Sequence, residues 1–346
     1  MSAALRQAIA TLLIAFSPVV LLEGGLRLAG WPTQRVRSFG KLINFDSASW
    51  EESIGVFKPS SKSTVLWPPE LAYEVHVNSL GLRGPEISKT PDANRTRFLA
   101  LGDSMTFGYY LEENETWPRR LEVHLREAGH DVEVVNGGSG GWTIVSQALF
   151  LEERAIALEP DHVLIGFCAN DIADLERKSS VYESQKSALG VGRGPVLEAL
   201  YTSAIYELYL RVQVAWKRYR EDHAGEREHP LTSVDVPAAR AETLWKEYAS
   251  WLERIHALLA PRGIPITIVY IPDVYKLTHG IPADDAKRLE ALAEARGIGF
   301  VSPLEAFGPW PREELFLLPL DDHLSPQGAE VMARELAPAL AAGLKR

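Results

Sequence analysis

From residue 96 onward, five short apolar runs alternate with stretches that repeat apolar residues at helical spacing. The runs are Arg97 to Leu101, Asp131 to Val135, His162 to Phe167, Ile266 to Ile271 and Gly299 to Val301. Each is β-branched or apolar and bounded by Gly, Asn, Asp or Pro, as strands covered on both faces are. Strand and helix in alternation make a parallel sheet with helices on its faces, so a doubly wound α/β sheet is expected. Helix starts are readable between the runs. Thr116 can cap a helix with Pro118 in its first turn, and Ser325 before Pro326 opens the last helix, towards Ala341. Ligands of such sheets sit beyond the carboxyl ends of the strands, and Asp103, Ser104, Asn136, Asn170 and Asp171 all fall there.

The remaining bulk features exclude more than they assign. The chain of 346 residues is 46% hydrophobic and 24% charged, the composition of a folded globular protein. A net charge of -10 argues against a nucleic-acid partner, which needs a surplus of Lys and Arg on one face. The single cysteine, Cys168, cannot form an internal disulfide framework or a thiolate metal site, and leaves the compartment open. Nine histidines are scattered without paired ligand spacing, so no metal and no cofactor is expected.

Three regions depart from the alternation. Residues 1–30 hold an uncharged run, Ala8 to Leu22, after Arg6. It is short for a membrane span and fits a signal peptide or an uncleaved signal anchor, with the bulk of the chain outside the cytoplasm. Arg27, Arg35, Arg37 and Lys41 after the run favour the opposite orientation, and an amphipathic first helix packed on the domain is the alternative. Residues 31–95, rich in Pro, Ser and Trp, read as a linker and a small β-rich collar around Tyr73 to Val77. Residues 96–346 form the main domain, interrupted at about 175–240 by an insertion. That insertion has a Gly190 to Gly194 turn and a helical stripe of Leu197, Tyr201, Leu208, Val212 and Trp216, read as ordinary packing.

The chemistry concentrates in Phe98-Leu-Ala-Leu-Gly-Asp-Ser-Met-Thr-Phe-Gly108, which ends a strand on Gly102-Asp103-Ser104 and sets one hydroxyl at its tip. A serine is a poor nucleophile until a base takes its proton, and His323 is a side chain suited to that near neutral pH. The imidazole needs a carboxylate to fix its tautomer. Asp321, two residues before His323, can reach it in an extended or turning loop, while the competitor Asp322 would point the other way in an extended segment. Asp103 is expected to bond backbone in the turn, and Cys168 to be a buried small apolar group.

Four blocks thus stand at strand ends in chain order: Gly102-Asp103-Ser104, Asn136-Gly-Gly-Ser-Gly-Gly141, Ala169-Asn170-Asp171 and Asp321-Asp322-His323. This order resembles the SGNH or GDSL-type hydrolase superfamily, whose blocks supply Ser, Gly, Asn and His in that sequence. The Asn78-Ser-Leu-Gly-Leu-Arg-Gly84 segment and the apolar N-terminus also resemble a bacterial membrane-anchored subgroup. The resemblance implies a three-layer α/β/α flavodoxin-like fold with a five-stranded parallel sheet, and a serine esterase or acyltransferase with the triad Ser104, His323 and Asp321. The Asp-x-His form occurs in part of the superfamily; the commoner Asp-x-x-His spacing would place the carboxylate at Leu320. Oxyanion donors would be the backbone N–H of Ser104, the backbone N–H of Gly141 and the Asn170 side chain. Gly141 is preferred to Gly138 for its place five residues after Asn136, and because a missing side chain lets substrate approach the backbone. The superfamily usually has Gly where Cys168 stands.

Other chemistries lack their parts. No Lys-Ser or Lys-Thr follows the Gly-rich loop, no Gly-x-Gly-x-x-Gly opens a first βαβ unit, and no Gly-x-Ser-x-Gly elbow is present. The expected substrate is an O-acyl ester, O-acetyl on extracytoplasmic carbohydrate first and a lipid acyl ester next, with transfer to a sugar hydroxyl as the variant of hydrolysis. Trp142 offers either a sugar-stacking face or plain packing. A non-catalytic scaffold of a polysaccharide or export assembly is the reading from another class.

Overall fold

The computed structural model describes residues 3–30, 43–44, 56–65, 71–176, 203–224 and 238–344. Besides a two-residue antiparallel pair, Ile43–Asn44 with Val56–Phe57, the strands in chain order are β1 (Ser61–Val65), β2 (Tyr73–Val77), β3 (Thr96–Gly102), β4 (Val132–Gly138), β5 (His162–Phe167), β6 (Ile266–Tyr270) and β7 (Gly299–Val301). The last five form one parallel sheet in the order β4-β3-β5-β6-β7, at the positions read from the sequence. The chain steps outward from β3 to β4 and then crosses back to β5. Strand order therefore reverses beside β3, and a doubly wound sheet opens its crevice at such a point.

Successive strand residues point to opposite faces, so continuous apolar runs feed two cores. Leu99, Leu101, Val135, Val163, Ile165 and Ile268 pack on one side against α4 (Ile144–Glu153), α7 (Ala238–Leu259) and α9 (Asp284–Glu294). Phe98, Ala100, Val134, Leu164 and Val269 pack on the other against α3 (Trp117–Glu127) and α12 (Pro326–Ala341). The result is the α/β/α sandwich. Fully burying each such aliphatic or aromatic side chain contributes about 1.5–3 kcal/mol.

The two predicted helix starts behave differently. Ser325 caps α12, its Oγ accepting from Gly328 N at 3.0 Å. Thr116 occupies the cap position of α3, but its hydroxyl donates to Glu113 O at 2.9 Å, because a short 3-10 turn runs directly into the helix and competes for it.

The collar is an antiparallel pair, β1 on β2, and it connects to the main sheet through one residue. Arg83 bridges Val77 on one side and Asn136 of β4 on the other, so the collar covers the β4 edge. That protects an otherwise open strand edge.

Helix α1 (Ala3–Leu28) meets α6 (Ala204–Ala224) where Glu23 accepts from Ala204 N at 3.1 Å, Ile205 N at 3.0 Å and Ser203 Oγ at 2.8 Å. Among the described residues no helix is long and apolar enough to cross a membrane. Gly190 to Gly194, Leu197 and Tyr201 of the predicted insertion lie outside the described residues. The packing expected of its stripe is not what α6 shows: Val212 and Trp216 are 58% and 60% exposed. Helical spacing sets residues on one face, but whether that face meets the core depends on where the helix docks.

Candidate active site

The nucleophile turn is built from close backbone contacts. After β3, Asp103 caps the one-turn helix α2 (Ser104–Phe107) by accepting from Met105 N at 2.9 Å. Gly108 ends it with φ of 86°, where glycine has no steric penalty. A Cβ on Gly102 would stand 2.1 Å from Thr106 Oγ1, and one on Gly138 2.5 Å from Phe107 N. Both glycines therefore let strand ends touch this turn.

Its carbonyl end is gripped from two sides. Asn136 Nδ2 donates to Thr106 O at 3.0 Å and Phe107 O at 3.2 Å, while Arg83 Nη1 donates to Phe107 O and Gly108 O, each at 2.6 Å. The guanidinium also lies 4.6 Å from the Phe107 ring centroid and 5.5 Å from that of Tyr73. Arg83 belongs to the Asn78 to Gly84 segment, so the collar fastens the turn that carries Ser104.

The three chemical groups meet in one chain of hydrogen bonds. Ser104 Oγ lies 2.8 Å from His323 Nε2, although the two residues are 219 positions apart. His323 Nδ1 bonds Asp321 Oδ1, and the same oxygen accepts from His323 N at 3.0 Å. Asp322 reaches the ring only as a more distant charge. Burial alone would lower the His323 pKa, but the Asp321 carboxylate and the other nearby acids outweigh it and raise the pKa above its ordinary value of 6.5.

Two tyrosines after Gly108 surround this chain. Tyr109 stacks on the His323 ring with centroids 5.3 Å apart and planes at 28°. Its hydroxyl sits so close to Gly140 that a Cβ there would be 1.9 Å away. Tyr110 meets the same ring edge-on at 5.6 Å. Burial pushes both phenols well above the usual tyrosine range, so both stay protonated. Sequence reasoning passed over Tyr109, Tyr110 and Arg83. The available signals were an aromatic pair directly after the nucleophile turn and the lone Arg of the Asn78 to Gly84 segment.

The other predicted site residues stand nearby. Gly141 has φ of 72° in the turn closed by Trp142 N on Ser139 O at 3.1 Å, and Ser139 N bonds Gly102 O at 3.1 Å beside Ser104. Asn170 opens the helix after β5 (α5, Asn170–Leu175) and donates through Nδ2 to Asp174 at 2.9 Å and, more weakly, to Asp103 at 3.4 Å. The long bond to Asp103 is the one an incoming oxyanion can displace. Asp171 accepts from Cys168 N at 2.8 Å; burial, then the charge of Asp103, raises its pKa well above the ordinary aspartate value. Cys168 is buried in the core as expected, with its thiol pushed up by burial. Trp142 is not a sugar platform: it is 3% exposed and packs on Phe150 at 4.9 Å, because the left-handed Gly141 turns it into the core.

A hydroxyl, an imidazole and a carboxylate in line, with backbone amides beside the hydroxyl, can activate an alcohol and hold a developing oxyanion. An arylesterase of Vibrio mimicus is 39% identical over 75 residues, a segment covering 22% of this chain and 38% of that protein. The chain thus spans well under half the length of this curated relative. Among solved structures, TesA is 15% identical, with 72% of this chain and 100% of that chain covered at a TM-score of 0.44. A catalytic mutant of the acetylxylan esterase Axe2 of Geobacillus stearothermophilus is 17% identical, covering 72% and 95% at 0.42. Residues 100–331, more than half of the chain and all four blocks, match the GDSL-like lipase/acylhydrolase family, and the chain belongs to that family.

Proposed function

We propose that the protein is a serine esterase that cleaves O-acyl esters through an acyl-enzyme on Ser104. The observation that carries this reading is the Ser104–His323–Asp321 hydrogen-bond chain. As Ser104 Oγ bonds to the acyl carbon, its proton passes to His323 Nε2, and Asp321 stabilises the imidazolium through Nδ1. The carbonyl oxygen takes the negative charge and is met by the Ser104 and Gly141 N–H groups and by Asn170 Nδ2. Collapse expels the alcohol, which receives the proton from His323. Water, deprotonated by the same imidazole, then attacks the acyl-serine, releases the carboxylic acid and returns the proton to Ser104. A sugar hydroxyl in place of water would give transfer by the same steps.

The substrate we infer is a short acyl group, acetyl first, on extracytoplasmic carbohydrate, with the apolar N-terminal segment serving export or attachment. The arylesterase relative supports an ester substrate in general. The exposed Ile14, Phe16 and Val19 to Leu22 of α1 support a segment made for an apolar environment. Acetate release from acetylated glycans, with and without added sugar acceptor, tests substrate and acceptor. A fluorophosphonate tests the centre itself. Labelling of the wild type that is lost in Ser104→Ala, with turnover of an acetyl ester reduced by about 10⁴-fold or more, is expected. A folded wild type that takes no label points to a non-catalytic scaffold.

A further inference from the structure

One residue after the nucleophile turn touches both the nucleophile and the base. Tyr109 N bonds Ser104 O at 3.1 Å, beside the bond from Gly108 N at 2.9 Å, so its backbone is tied to the peptide of the nucleophile itself. Its ring lies on the His323 imidazole, with centroids 5.3 Å apart and planes at 28°. An uncommon backbone holds it there. Gly108 and Tyr110, on either side, have φ of 86° and 65°, and a bulky residue such as Tyr110 enters the left-handed region only where its surroundings impose it. Arg83 grips the carbonyls that flank this pair of tyrosines, Phe107 O and Gly108 O before it at 2.6 Å each and Leu111 O after it. The ring of Tyr109 is wedged as well. It meets Phe107 edge-on at 5.5 Å and 90°, and its hydroxyl fills the notch at Gly140, where a Cβ would stand 1.9 Å away.

We propose that Tyr109 is a positioning residue for His323, a seat that fixes the imidazole plane relative to Ser104 and favours the imidazolium through its ring face. The bonds at Nδ1 and Nε2 hold the imidazole at two points of its edge and leave it free to rock about the line that joins them. A ring lying on its face removes that freedom. An aromatic face is also negative, and attracts a cation within about 6 Å of its centroid. That attraction arises as His323 takes the Ser104 proton, so it is stronger in the transition state than in the resting site. The ionisable groups facing the imidazole are Asp321 and Asp322 of its own loop, Asp103 of the nucleophile turn, and the phenols of Tyr109 and Tyr110. No acid among them changes when an apolar residue replaces Tyr109, so a shift in the histidine titration reports the ring.

Tyr109 can serve His323 in this way only if the triad reading above holds, and the experiment separates the two. Tyr109→Phe keeps the ring and removes the hydroxyl. Tyr109→Leu removes the ring, and Tyr109→Met does so with a flexible chain that refills the volume, should the leucine variant not fold. Activity is measured on the full chain with a soluble acetyl ester and expressed per site titrated by a fluorophosphonate, so unfolded protein is not counted. The ringless variants are expected to lose kcat about tenfold, with KM within about twofold of the wild type. Their acid limb of kcat/KM should move down by about half a pH unit, because the imidazolium loses the ring face. Tyr109→Phe should keep kcat within about threefold and leave the limb in place. Ringless variants with wild-type kcat overturn the proposal. So does a loss of kcat with the limb unmoved or moved up, which marks plain packing, and so does a Tyr109→Phe that falls as far as Tyr109→Leu, which assigns the effect to the hydroxyl. His323→Ala run alongside guards the premise: if it keeps full activity, the triad assignment itself fails, whatever Tyr109 does.

Discussion

The two ends of β3 handle buried charge in opposite ways. At its start, Arg97 is fully buried, yet every nitrogen is used. Nε donates to Glu133 at 2.9 Å, Nη1 to Lys89 O at 2.8 Å and to Leu158 O, and Nη2 to Ser88 O at 2.7 Å. At its end, beside the turn that carries Ser104, two carboxyl groups are confined together. Asp103 and Asp171 are both buried and both raised, and Asp171 Oδ1 and Thr106 Oγ1 have no hydrogen-bond partner among the described residues. A charge that is paired and satisfied fastens β3 to its neighbours; charges that are crowded and partly unmet are costly to stability and available to a reaction.

That contrast can be broken from the stable end first. Arg97→Met should leave Glu133 buried without its partner and cost about 3–5 kcal/mol of stability, read as a fall in the urea midpoint. The protein that remains folded should keep its kcat. Adding Glu133→Leu should restore the share due to the stranded carboxylate, but not the share due to the three orphaned carbonyls. No recovery at all would mean that Glu133 is not the group Arg97 neutralises.

The reactive end should answer in the reverse sense. Asn170→Ala is expected to lower kcat by ~10²–10³, the usual effect of losing one oxyanion donor, while Tm barely moves. A Tm loss with kcat intact would return Asn170 to a structural cap of α5 that serves Asp174.

The smallest expected effect is on pH. His323 must be neutral to accept the Ser104 proton, and its folded pKa is raised above 6.5 by Asp321 and nearby acids despite burial. The acid limb of kcat/KM should therefore lie above 6.5, with activity lost as pH falls through it. A limb below that value would mean that burial outweighs the carboxylates.

How far these features could be read in advance varies by kind. The strands of the parallel sheet were legible because burial on both faces leaves an unbroken apolar run with polar punctuation. Ser104 and His323 were legible because a hydroxyl at a strand tip and an Asp-x-His pair are local patterns. Trp142 was ambiguous because nothing local says which way a left-handed glycine turns the next side chain. The stripe on α6 was misread for a similar reason: the periodicity of Val212 and Trp216 gives a face, not a neighbour.

Local sequence alone determined the order of elements and which hydroxyl, imidazole and carboxylates are available to the site. Those depend on side-chain type and on spacings of two or a few residues, which the backbone converts directly into geometry. Tertiary structure decided which of the two acids faces the imidazole. It also brought Ser104 within 2.8 Å of a residue 219 positions away, and made a collar arginine and a strained tyrosine part of the site. These are contacts between distant segments, fixed by the packing of helices and hairpin on the sheet.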